Sequence, residues 1–307
     1  MQFLSLVRKQ KIHNMKVAIY SRGFENVTIQ DLQVLLSAFT HEKCHTVLYK
    51  PYYEEVKHLL QSDLLMDSFE KASDLDDSYD CMISLGGDGT LLDTVTLIRD
   101  KNIPILGINF GRLGFLASIG KEDLQSAVKS LVKRTFDTDE RTLIHLDASV
   151  PLFGETPYGL NEFAILKSEV SSMIKIHTYL NGEFLNTYWA DGLIVSTPTG
   201  STAYSLSCNG PVVFPETSSF VITPVAPHNL NVRPIVVPDD TVISFEVECR
   251  SNQFICAIDS RREIVDKNIQ LAVKKEKFSV RLVRLNENNF LQTLRKKLAW
   301  GFDTRNP

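Results

Sequence analysis

Residues 81–92 read Cys81-Met82-Ile83-Ser84-Leu85-Gly86-Gly87-Asp88-Gly89-Thr90-Leu91-Leu92. The first five residues form an apolar run of strand length. Gly86 to Thr90 is a glycine-rich turn, and a helical pattern follows over 90–99. A buried strand that feeds a helix through a tight loop is the repeating unit of a parallel α/β sheet. The unit recurs on both sides of this stretch. Upstream, 16–21 reads as a strand. Thr28 caps a helix reaching Lys43, with Leu32, Leu35, Leu36 and Phe39 at helical spacing. A strand over 46–49 and a helix over 52–61 follow, and the acidic stretch 74–77 reads as a solvated loop. Downstream come a strand over 105–109 and a helix over 121–133. This alternation predicts a doubly wound parallel sheet.

Beyond about residue 140 the pattern changes. Segments 143–150, 159–166 and 173–180 read as extended, as do 242–249, 254–258, 269–273 and 279–285. Asn181-Gly182 between two such runs signals a two-residue type I′ hairpin, because both residues tolerate positive φ. The expected architecture is an α/β domain over 15–140 and a β-rich, sandwich-like domain over 141–285. A terminal helix over 291–300, within a segment 286–307, is expected to return to the first domain. Residues 1–14 read as a mobile extension or as the product of a misassigned start codon, since Met15 opens directly on a strand.

The chain has 307 residues, 43% hydrophobic and 23% charged, ordinary for a soluble globular protein. A net charge of −4 argues against a broad nucleic-acid surface, so an anionic ligand must be held by local groups. The five cysteines are widely spaced with no Cys-x-x-Cys, which disfavours a zinc site. The cysteine usage fits a reducing, cytoplasmic setting. No apolar run has the length of a membrane span.

The loop at 86–90 lies at the carboxyl edge of the expected sheet, where open α/β folds bind ligands. Gly86, Gly87, Gly89 and Thr90 allow close backbone approach and offer N–H groups to phosphate. Asp88 repels phosphate, so its chemistry would be to accept a proton from a hydroxyl or to help hold a metal ion. A mobile carboxylate beside bound phosphates suits phosphoryl transfer to a hydroxyl. Taken alone, Gly-Asp-Gly is more often a tight turn with Asp88 as a helix cap. No Walker A motif occurs. In the next glycine-rich loop, 107–116, Phe110 could pack on a flat ring and Arg112 could reach a phosphate. A plain loop with a surface arginine fits equally well.

A second loop, 191–207, reads Asp-Gly-Leu-Ile-Val-Ser-Thr-Pro-Thr-Gly-Ser-Thr-Ala-Tyr-Ser-Leu-Ser. Its hydroxyls suit a phosphorylated, polyhydroxylated ligand held by neutral hydrogen bonds. Together with Gly86–Thr90, Asn161-Glu162, the run 223–230 (Thr-Pro-Val-Ala-Pro-His-Asn-Leu) and Arg233-Pro234, it resembles the NAD kinase family over roughly residues 16–300. The first loop is shared with lipid kinases; the hydroxyl loop is far more selective.

The resemblance implies ATP-dependent phosphorylation of the 2′-hydroxyl of the adenosine ribose of NAD, with Asp88 as proton acceptor. It implies that Gly89 approaches the ligand by its backbone. Asn161 and Glu162 would bind the adenosine portion, the amide at the base and the carboxylate at hydroxyls. Asp191, Thr199, Thr202, Ala203, Tyr204, Ser205, Leu206 and Ser207 would line the dinucleotide site. ATP would arrive with a divalent metal ion, magnesium above all, with no protein metal ligand assigned. The resemblance also implies a homo-oligomer, a dimer or tetramer.

Three positions depart from the family pattern. Trp189-Ala190 precedes Asp191 where a positive residue is common. Asn209-Gly210-Pro211 replaces Gly-Gly-Pro. Asp259-Ser260-Arg261 stands where Asp-Gly-Gln is common, which puts a ligand contact there in doubt and leaves Arg261 out of the expected site. A lipid kinase would lack the second loop, and a dinucleotide sensor would bind NAD without forming NADP.

Overall fold

The structure, a computed structural model, describes residues 15–23, 27–111, 114–117, 119–168, 172–285 and 290–299. Five parallel strands run through the first half in the spatial order Asp67–Phe69, His45–Tyr49, Lys16–Ser21, Cys81–Leu85, Ile105–Asn109, and the short strand Ile119–Gly120 pairs parallel with the last of them. Successive residues of a strand face opposite sides, and both sides are covered. Val17 and Ile19 pack under the helices Ile29–His41 and Leu124–Val132, with Leu35, Phe39, Val128 and Leu131. Ala18 and Tyr20 face the other way, toward Leu91, Leu92, Val95 and Ile98 of the helix Asp88–Ile98. This is the doubly wound sheet expected from the sequence. Strand order reverses between Lys16–Ser21 and Cys81–Leu85, so the ligand crevice of such a sheet falls beside Arg22 and the 86–90 loop.

Local chemistry sets the boundaries. Thr28 Oγ1 accepts the Asp31 N–H at 3.2 Å and starts the first helix, which ends at His41, two residues before the expected Lys43. The helix expected over 52–61 runs instead over Lys50–Val56. Pro51 lies in its first turn, where an N–H has no helical partner to lose. Asn181 and Gly182 take φ of 49° and 84° and join the antiparallel strands Ile174–Leu180 and Glu183–Ala190 as the hairpin expected.

The two strands expected over 269–273 and 279–285 are one, Leu271–Arg284, irregular between Lys275 and Ser279. Its first residues pair antiparallel with Ile243–Glu248, and Leu282 pairs parallel with Ile105. Asp137–Ala148 runs antiparallel beside it. The parallel and β-rich halves therefore share one continuous sheet. A second, antiparallel sheet has the order Ile235–Pro238, Ser219–Val225, Gly192–Ser196, Glu162–Lys167, Gln253–Ile258, Arg261–Asp266. Phe163, Phe220 and Phe254 of this sheet meet Ile176, Phe245 and Val273 of the first in one buried cluster, the sandwich core. Burial of each such ring contributes roughly 1.5–3 kcal/mol.

The helix Phe290–Leu298 closes the described chain. Phe290 packs edge-on against Phe214 at 5.3 Å, and Lys297 lies over the Phe115 ring at 5.9 Å. It thus returns to the first half beside the loop that faces Asp88. No described helix is long and apolar enough to cross a membrane, and all five cysteines are free.

Candidate active site

The 86–90 loop turns the buried strand Cys81–Leu85 into the helix Asp88–Ile98, with Gly87 at the N-cap. Asp88 does not cap its own helix. Its carboxylate crosses to the following loop: Oδ2 accepts the Phe115 N–H at 2.8 Å, and Oδ1 accepts those of Leu116 and Ala117, both at 3.0 Å. The carboxylate, expected to be mobile, is held by three main-chain donors. Gly114 makes room for it, because a Cβ there would stand 1.8 Å from Oδ1. Thr90 is buried beneath the turn. Phe110 packs in part against the first-half core and Arg112 lies outside the described residues, so neither is placed as a wall of the site.

One residue that sequence reading passed over belongs here. Arg22, at the end of the first strand, donates from Nε and Nη2 to Asp93 at 2.5 and 2.7 Å and from Nη2 to the Gly89 carbonyl at 2.9 Å. A charged side chain at the reversal of strand order was the available signal.

The second half reaches this helix through the segment before Asn161. Arg99, just past the helix, pairs with Glu155 at 2.6 Å. Leu160 shares an apolar cluster with Leu91, Leu92, Val95 and Ile98 of the helix. Residues 155–160, which lead into Asn161 and Glu162, therefore lie beside the helix headed by Asp88.

Both Asn161 and Glu162 are buried, 8% exposed. Glu162 is paired across the second sheet with Ser196, the last residue of the strand that feeds the hydroxyl loop. Glu162 Oε2 and Ser196 Oγ are both buried with no hydrogen-bond partner among the described residues. Both atoms are left able to bond a ligand or a water. Burial, with Asp259 nearby, pushes the Glu162 carboxyl up to about 8, against a single main-chain N–H from Tyr204. That upward shift favours the protonated form, which can donate as well as accept a hydrogen bond.

The hydroxyl loop forms a 3-10 turn, Thr199–Thr202, and a short helix, Tyr204–Ser207. Gly200 lies so close to Asn161 that a Cβ would meet its carbonyl oxygen at 2.0 Å. The loop spends many of its hydroxyls on itself. Thr197 Oγ1 donates to the Leu160 carbonyl at 2.6 Å and Ser201 Oγ to that of Pro198 at 2.7 Å. Ser205, expected at the ligand, is fully buried and shares a 2.8 Å hydrogen bond with Thr223. Thr199 is buried, and its Oγ1 faces Arg141 at 3.5 Å. Thr202, Ala203 and Leu206 are partly exposed, and Tyr204 and Ser207 exposed.

Asp191 is a third exposed and forms an ion pair with Lys167 at 2.7 Å. A positive charge thus reaches Asp191 from the neighbouring strand although Trp189-Ala190 supplies none. Trp189 instead stacks on His228 at 4.7 Å. Arg261 donates to the carbonyls of Thr156 and Tyr158 and so braces the approach to Asn161. Among the described residues no group of three His, Cys, Asp or Glu side chains could hold a metal ion.

Comparisons with known proteins identify the family. The ATP-NAD kinase N-terminal domain matches residues 23–136, and the ATP-NAD kinase C-terminal domain matches residues 160–285. The chain is 49% identical over 296 residues to an NAD kinase of Cytophaga hutchinsonii and 42% identical over 296 residues to one of Flavobacterium johnsoniae. Each match covers 95% of this chain and all of the relative. Two solved structures share the fold. Yeast NADH kinase complexed with NADH has a TM-score of 0.83 at 21% identity, covering 95% of this chain and 90% of that one. An NAD kinase from Archaeoglobus fulgidus in complex with ATP has a TM-score of 0.66 at 24% identity, covering 93% and 99%. With both halves matched and full-length relatives at this identity, the chain belongs to the NAD kinase family and is a phosphotransferase.

Proposed function

We propose that the protein transfers the γ-phosphate of ATP to the 2′-hydroxyl of the adenosine ribose of NAD, giving NADP and ADP. The observation that supports this reading is the packing of residues 155–160, the segment that leads into Asn161-Glu162, beside the helix headed by Asp88. The ribose oxygen attacks the γ-phosphorus, the bond to the β–γ bridging oxygen breaks, and the hydroxyl proton passes to Asp88. In-line placement and charge neutralisation do most of the work in such a transfer. ATP enters as its magnesium complex, so the metal ion is part of the substrate.

In this reading Gly86, Gly87, Gly89 and Thr90 present the helix N-terminus to phosphate. Asn161 recognises the adenine edge, and Glu162 and Asp191 engage ribose hydroxyls. Thr199, Thr202, Ala203, Tyr204, Leu206 and Ser207 line the dinucleotide, while Ser205 supports the loop from beneath. The 15–140 and 141–285 regions act as the catalytic-loop and acceptor domains, and 286–307 braces the first. The working species is a cytoplasmic homo-oligomer.

The test is NADP formation from NAD, ATP and magnesium. The wild-type protein should form NADP, and Asp88→Asn should lose about 100- to 10,000-fold in kcat. Wild-type turnover by that variant would remove Asp88 from the role, and NAD binding without NADP formation would leave a sensor.

A further inference from the structure

Asp259 begins the turn between the strands Gln253–Ile258 and Arg261–Asp266, at φ 50°. Its side chain is turned inward, not toward solvent. Oδ2 accepts the Leu160 N–H at 2.9 Å, and Oδ1 accepts those of Asn161 at 2.8 Å and Glu162 at 3.2 Å. The Asp259 N–H donates to the Glu162 carbonyl at 3.1 Å. One residue thus holds three consecutive peptide groups, including both members of the Asn161-Glu162 pair. Arg261 fixes the preceding turn through Thr156 and Tyr158. Gly159 leaves the space, since a Cβ there would lie 2.8 Å from Asp259 Oδ1.

We propose that Asp259 is the positioning residue of the acceptor site, fixing the backbone from which Asn161 and Glu162 reach the dinucleotide. This rests on the proposal that those two residues bind NAD. Charge-assisted bonds to backbone amides are about twice as strong as neutral ones, and three on one carboxylate leave the strand end little freedom. The groups that face the Glu162 carboxyl are Asp259, the Tyr204 N–H and phenol, and the Cys208 thiol. Burial raises Asp259 too, while its three backbone amides and Arg261 act in the opposite direction.

Asp259→Asn keeps the shape, removes the charge and turns an N–H against one backbone donor. Loss of one charged hydrogen bond predicts a KM for NAD raised about tenfold, with the KM for ATP within about twofold. With the Asp259 charge gone, the ionisation of Glu162 should move to lower pH, and the break in the pH profile of kcat/KM for NAD should move with it. Gly159→Ala crowds the carboxylate without removing its charge. It should raise the KM for NAD and leave that break in place.

A folded Asp259→Asn enzyme with the wild-type KM for NAD overturns the proposal if Glu162→Gln raises that KM. Equal rises in both KM values, or no movement of the pH break, reduce Asp259 to a general structural residue and also overturn it. If Asp259→Asn does not fold, an unchanged KM for NAD in Gly159→Ala does the same. If neither Asn161→Ala nor Glu162→Gln changes the KM for NAD, the acceptor reading itself fails.

Discussion

The Oδ1 atom of Asp88 occupies the space that a side chain on Gly114 would need, with 1.8 Å between that atom and a Cβ built on the glycine. The glycine and the carboxylate are two sides of one latch, closed by the N–H groups of Phe115, Leu116 and Ala117. Gly114→Ala should drive the carboxylate or the loop aside by an ångström or more. A displacement of that size costs about 100-fold when it misplaces a reacting group. Steady-state kinetics should show the loss in kcat, with the KM for NAD much less affected.

Asp88→Asn should also lose stability. An amide offers only one acceptor oxygen to three N–H donors, so at least one of them is left unpaired, at about 1–3 kcal/mol. Denaturant melts should show a lower midpoint with an unchanged slope. Equal stability would mean that the latch is not held in solution.

The raised Glu162 carboxyl makes a prediction with a definite sign. Its ordinary value is 4.5 and its folded value about 8, so between these the folded state binds more protons than the unfolded one. Stability therefore falls as pH rises through that window, and the loss is complete above pH 8. Glu162→Gln removes this dependence. Melting curves from pH 5 to pH 8.5 should show the variant gaining on the wild type as pH rises, and parallel curves would refute the shift.

Ser205 separates support from contact. Ser205→Ala leaves the buried Thr223 hydroxyl without its 2.8 Å partner. The expected cost is about 1–3 kcal/mol of stability, with the KM for NAD near the wild-type value. A large rise in KM with no loss of stability would place the hydroxyl at the ligand.

The strand–loop–helix units of the first half were legible because each is local: an apolar run, a glycine turn and a helical stripe lie side by side in the chain. The Asn181-Gly182 hairpin was legible for the same reason. What could not be read were contacts between distant segments. Asp259-Ser260-Arg261 looks like a surface turn, and nothing in its neighbours announces that Asp259 binds the backbone of residues 160–162. The latch on Asp88 is hidden in the same way. The hydroxyl loop was legible as rich in hydrogen-bonding groups but not as its own scaffold. Which hydroxyls turn inward depends on the close approach of Gly200 to Asn161 and on the partners Leu160 and Thr223.

The strand Leu271–Arg284 governs the order of events during synthesis. Ile105 lies at an open edge of the parallel sheet until Leu282, near the far end of the chain, pairs with it. Pairings between residues so far apart in sequence form slowly and leave strand edges exposed meanwhile. Ribosome-stalled chains ending before residue 271 should therefore remain sensitive to protease around residues 105–107, and chains that include this strand should become resistant. Protection of the shorter chains would show that the first half closes its sheet unaided.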